Sequence, residues 1–223
     1  MYRRAVILPI FLLGTMVTPA ANAVGITTYG AGLKSCKSYL DARQQDNGEA
    51  VAYVDWLSGY FSGVNKTSTH RNNFFGLSDL KRAMSWLDDY CNVRPQLHFA
   101  EAVGIMLLGA KPGPAAHSIE PSSYGSADKS CGVYLDSREQ RDAIYLDASA
   151  EFTNWLGGYL SGVNAMSLDT NDILGKTELS DAVSWLERYC SAHSLTSFGD
   201  AVAALVQAQQ PRYAAKPSNT GFN

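Results

Sequence analysis

Ten residues, WLSGYFSGVN from Trp56 to Asn65, return as WLGGYLSGVN from Trp155 to Asn164. The flanking sequence repeats with them. Cys36, Tyr39, Leu40, Asp41 and Arg43 recur as Cys131, Tyr134, Leu135, Asp136 and Arg138. Trp86-Leu87 and Tyr90-Cys91 recur as Trp185-Leu186 and Tyr189-Cys190, and Phe99, Ala102 and Val103 as Phe198, Ala201 and Val202. The offset is 95 residues at the cysteines (131 − 36) and 99 from the tryptophans onward (155 − 56). A chain built this way must fold as two versions of one small unit, and internal repeats take precedence over local signals.

The repeat also orders the cysteines. Four cysteines allow three pairings, and no CxxC spacing points to metal. Two units with two matching cysteines each favour closure within each unit, Cys36–Cys91 and Cys131–Cys190. Each bridge would close a long loop and contribute about 4 kcal/mol by chain entropy. Small units need such staples, because their cores supply little margin.

Residues 1–23 read as a signal peptide: MYRR, then the apolar run Ala5–Val17, then small residues at Ala21 and Ala23. The run is short for a spanning helix, which takes roughly 20 residues. Export to an oxidising compartment, the periplasm, suits the disulfides. After cleavage the chain carries 16 basic and 21 acidic residues (Arg3 and Arg4 removed from 18). That balance lacks the basic footprint of a nucleic-acid binder, and no later segment is long and apolar enough to span a membrane. The expected organisation is unit one at 24–110, a Pro-rich linker at 111–123, unit two at 124–210 and a disordered tail at 211–223.

Each unit reads as four helices, and the fold class as all-α. Cys36, Tyr39, Leu40 and Arg43 share one face of the first helix, with Ser35 or a neighbour as cap. In the second helix, Tyr53, Trp56, Leu57, Tyr60, Phe61 and Val64 form an apolar arc. Ser58, Ser62 and Asn65 lie opposite, and Gly59 and Gly63 form a bare strip beside the arc. Glycine costs a helix about 1 kcal/mol per site, so two in one turn imply close approach of a neighbouring backbone. The GxxxG pattern, repeated at Gly158 and Gly162, could serve contacts within a unit or between units. The third helix would be capped by Ser78 and Thr177, and the fourth would start at Pro95.

Little in the chain suggests catalysis. His70, His98, His117 and His193 are scattered, and none has a counterpart histidine in the other copy. Ser62 and Ser161 sit inside helices, without the strand-to-helix turn of a nucleophile elbow. The reading is therefore a non-enzyme with no cofactor and no metal. Trp86 and Trp185, at the edge of their helix's apolar arc, are candidate binding anchors. Asn65 and Asn164, on the polar side of the second helix, are candidate binding residues.

A cysteine followed by YLxxR, then WLxGYxSGxN, then WLxxYC and an alanine-rich helix resembles exported immunity proteins of type VI secretion. The resemblance spans both units. It implies a helical, disulfide-bonded periplasmic protein that binds and neutralises a toxic effector, often a peptidoglycan amidase. More loosely, the plan resembles HdeA-like acid-stress chaperones, which implies an alternative role with client proteins. This chain departs from both families by duplication, since their members are typically single units that act as homodimers. A monomer with an internal pseudo-dimer is the expectation. No family binding residue carries over, because the matching positions are packing positions.

Overall fold

The computed structural model describes residues 25–45, 48–67, 77–109, 124–140, 149–168 and 170–209. The expected leader at 1–23, linker at 111–123 and tail at 211–223 lie outside them, as do His70 and His117. A 3-10 turn at Gly30–Leu33 leads into α1 (Cys36–Gln44), α2 (Glu49–Thr67), α3 (Leu77–Val93) and α4 (Phe99–Gly109). A second 3-10 turn at Gly125–Asp128 leads into α5 (Cys131–Glu139), α6 (Ala150–Met166), α7 (Leu179–Ala192) and α8 (Phe198–Gln209). Among the described residues there is no strand, only two isolated bridges, Ser35 with His98 and Ser130 with Ser197. The protein is all-α.

Each half is closed in the same way. Ser35 caps α1 by accepting the Ser38 N–H, and Ser130 caps α5 by accepting the Val133 N–H. The first residue of α1 is then tied to the start of α4: Cys36 N donates to Leu97 O at 2.7 Å and Phe99 N to Lys34 O at 2.8 Å. Cys131 with Thr196, and Phe198 with Lys129, repeat the pair at 2.8 and 2.7 Å. The disulfides are Cys36–Cys91, joining α1 to α3, and Cys131–Cys190, joining α5 to α7.

Buried aromatics fill the space so enclosed. Tyr39, Tyr53, Trp56 and Phe99 meet edge-on or tilted, with Tyr39 and Phe99 centroids 4.8 Å apart. Tyr134, Phe152, Trp155 and Phe198 repeat the arrangement. Such pairs add about 1 kcal/mol each beyond their area.

The glycine strips join the two halves. α2 and α6 run parallel and make the most extensive helix contact in the fold. A Cβ on Gly59 would stand 2.0 Å from the Trp155 carbonyl oxygen, and one on Gly63 2.3 Å from that of Tyr159. Reciprocally, a Cβ on Gly158 would stand 1.9 Å from the Trp56 oxygen, and one on Gly162 2.3 Å from that of Tyr60. No side chain fits in those spaces, so only glycine allows the two backbones this close. The reason is steric and is the one that favours small residues at tight helix crossings.

Three local expectations differ from the structure. Thr177 does not cap α7; Glu178 does, in a reciprocal box with Asp181. Ser78 lies within α3, which already runs from Leu77. Pro95 sits in the turn between α3 and α4, and α4 begins only at Phe99. The first helical residue falls two residues after Thr177, one before Ser78 and four after Pro95, because hydroxyl and proline signals do not by themselves fix where a turn commits to helix.

Candidate functional site

The serines and asparagines that recur in the ten-residue motif are the first candidates, and the structure draws them inside. Ser62, Asn65, Ser161 and Asn164 are all about 1% exposed. The polar side of each motif helix faces the opposite half of the molecule. Ser161 Oγ accepts the Tyr29 N–H at 2.9 Å and donates to Gly157 O at 2.7 Å. Ser62 Oγ accepts the Tyr124 N–H at 3.0 Å and donates to Ser58 O at 2.8 Å.

The same two tyrosine peptides also close the opposite contact. Tyr29 O receives the Trp56 indole at 2.7 Å, and Tyr124 O receives the Trp155 indole at 2.6 Å. Each lead-in peptide therefore binds its own half's tryptophan and the other half's serine. Tyr29 packs on the second half's core, and Tyr124 is buried in the first half's. Tyr29 also donates its phenol to Asp172.

Asn164 completes this exchange. Its Nδ2 donates to Thr27 O at 2.9 Å and its Oδ1 accepts Ile173 N at 2.7 Å. Asn164 is thus a seam residue, and both Asn164 and Asn65 are buried, not exposed as binding residues would be. A helical wheel sorts side chains by polarity; it does not say whether the polar side meets water or another helix.

The recurring charges are tied between helices. Arg43 reaches Asp88 with Nε at 3.2 Å and Nη2 at 3.0 Å, and Asp88 also accepts the Tyr39 hydroxyl at 2.6 Å. Burial, reinforced by Asp88, holds the Tyr39 phenol far above its ordinary range. Arg138 makes the matching bond to Glu187 at 2.7 Å. Asp41 pairs locally with Lys37. The two arginines brace α1 on α3 and α5 on α7. His98 turns its Nδ1 to Leu33 O at 2.7 Å. Among the described residues no three His, Cys, Asp or Glu side chains converge as a metal would need.

The tryptophans on the third helices remain at the surface. Trp86 is 37% exposed, and Trp185 is half-buried against the second core. Each heads a stack at helical spacing. Trp86 stacks on Tyr90 at 4.6 Å with an interplanar angle of 12°, and the Arg94 guanidinium lies over the Tyr90 ring at 4.7 Å. Trp185 stacks on Tyr189 at 5.1 Å and 15°, and His193 stacks on Tyr189 at 4.3 Å. His193 Nδ1 donates to Tyr189 O at 2.8 Å, leaving the far nitrogen of an exposed ring turned outward. The i, i+4, i+8 spacing from each tryptophan is the sequence signal for the lower rungs, Tyr90, Arg94, Tyr189 and His193.

Both ladders stand on helices pinned by a disulfide and an interhelical ion pair. Rigid aromatic rungs with a planar polar group at the end make a surface suited to a partner protein, because they are ordered before binding. In comparisons with protein-family models, curated proteins and solved structures, nothing matches this chain.

Proposed function

We propose that this chain is a non-enzymatic, periplasmic binding protein of immunity type, which neutralises a toxic effector protein by covering its active cleft. The observation that carries the reading is the pair of ladders, Trp86–Tyr90–Arg94 and Trp185–Tyr189–His193. They offer large apolar area at low conformational cost, with a planar hydrogen-bonding group, Arg94 or His193, at one end. The recurring serines, the most enzyme-like feature of the sequence, spend their hydrogen bonds inside the seam. The motifs that resemble the immunity class are the ones that build the scaffold beneath the ladders.

The acid-chaperone alternative needs the molecule to open as pH falls. At Asp55, a half-buried carboxylate of the seam, acidification works the other way, as developed below. A protein closed by two disulfides and a glycine-tight seam also lacks the loose core a holdase exposes.

The test is rescue. Effectors encoded beside this gene are expressed in the periplasm with and without this protein. Protection that is lost in Trp86→Ala together with Trp185→Ala, with near-UV circular dichroism retained, supports the reading. Protection untouched by both substitutions removes the ladders from it. Absence of protection and of binding against every neighbouring effector overturns the immunity role.

A further inference from the structure

The two sides of the seam are not chemically equal. Gly59 lies against Trp155 on a parallel helix. One turn earlier on each helix stand Asp55 and Glu151, on the side of the seam where a Cβ on Gly125 would touch both Ser58 and Trp155. Across the pseudo-two-fold, Gly158 lies against Trp56. One turn earlier there stand Asn154 and Ala52, a neutral pair. The copies have diverged here: one side sets two carboxylates beside Lys129, and the other keeps only Lys34, the counterpart of Lys129, beside an uncharged pair.

Lys129, in the lead-in to α5, does not balance both acids. Its ammonium bonds the two Glu151 oxygens at 2.5 and 2.6 Å. Among the described residues no donor bonds the half-buried Asp55 carboxylate; its backbone oxygen accepts Ser58. The charged groups that face it are Glu151 from α6 and Lys129. A carboxylate half out of water, opposite another carboxylate, disfavours its own charge.

We propose that Asp55 and Glu151 form an acid-strengthened clasp between the two halves: a proton taken up by Asp55 tightens this end of the seam, and its loss at neutral pH sets two carboxylates against each other. The balance of charges agrees. Desolvation first, and Glu151 second, raise Asp55 from its ordinary value to about 6, with Lys129 opposing. An acid whose pKa is raised in the folded state binds protons more tightly there than when unfolded. Its contribution therefore favours the folded chain as pH falls from about 6 toward the ordinary value of 3.8, and is lost as pH rises through about 6. The halves of an exported protein would then hold together most firmly in mildly acidic surroundings. This does not depend on what the ladders bind.

The experiment is thermal unfolding of the purified protein from pH 4.5 to 8, wild type beside Asp55→Asn. Asparagine already fills the matching place in the other half, so the variant should fold. Near pH 7.5, Asp55→Asn should melt higher by roughly 2–5 °C, and near pH 5 the gap should close. On the wild-type protein, a carboxyl-carbon NMR titration should find Asp55 titrating near pH 6, and Glu151→Gln should lower that midpoint. A melting gap that does not change with pH, or an Asp55 that titrates in the ordinary carboxylate range, overturns the clasp.

Discussion

The side-chain oxygen of Ser161 accepts the backbone N–H of Tyr29 at 2.9 Å, across 132 residues of sequence. The bond binds the lead-in of the first half to the motif helix of the second. Tyr124 and Ser62 make the same bond in the other direction at 3.0 Å. The halves are therefore not two beads on a string. Each supplies a peptide that the other half's serine must satisfy.

Ser161→Ala leaves the half-buried Tyr29 N–H without this acceptor. An orphaned buried donor costs about 1–3 kcal/mol, so Tm should fall by roughly 3–9 °C for a chain this size. Ser62→Ala should cost a similar amount. Calorimetry checks both. A change within error would mean that the lead-in peptides find other partners.

Gly59→Ala and Gly158→Ala test the seam. The added methyl would sit 2.0 or 1.9 Å from a backbone carbonyl oxygen, and backbone cannot swing aside as a side chain does. Loss of about 3 kcal/mol or more is expected, at the top of the overpacking range. Gly104→Ala is the control. Its Cβ would meet nothing within 4 Å, and helix propensity predicts a gain of up to about 1 kcal/mol. Opposite signs in denaturant unfolding would separate steric exclusion from propensity.

Reduction of the disulfides should weaken both halves alike. The bridges span 55 and 59 residues, for which chain entropy gives about 4 kcal/mol each. Cys36→Ala with Cys91→Ala, and Cys131→Ala with Cys190→Ala, should each lower the urea midpoint by comparable amounts. A strong imbalance would show that one half carries the other's stability through the seam.

The ladder tryptophans should behave unlike the core ones. Trp86→Ala loses a surface stack, worth about 1 kcal/mol. Trp56→Ala empties the buried core and leaves Tyr29 O without its indole donor, so about 3–5 kcal/mol is expected. Partner binding should show the reverse order, with Trp86→Ala weakening it on the order of 30-fold if it is a hot spot. Equal losses of binding in a Trp56 variant that stays folded would move the interface to the seam.

Much of this architecture follows from the order of residues. The duplication, the helical stripes and the cysteine spacing lead to eight helices and two bridges, because period and pairing are local or symmetric properties of a chain. The cap at Ser35 was equally legible, being one residue from the helix it starts, and Ser130 repeats it in the second half. What the second helix packs against was not. GxxxG fits a contact within a half or between halves, and the periodicity of one helix holds no information about its partner.

Only the tertiary structure decided that the strip meets its own repeat in parallel, with Gly59 seated between the Trp155 carbonyl and the Tyr159 amide and Gly158 between those of Trp56 and Tyr60. That close crossing turns Ser62, Ser161 and Asn164 from a polar face into a buried exchange, and Asn65 is buried with them. It also brings Asp55 within reach of the Glu151 charge, where aligning the copies pairs it with Asn154. Sequence ranks residues by what they can do; the packing of two backbones, too close for a methyl group, chose which of them would meet.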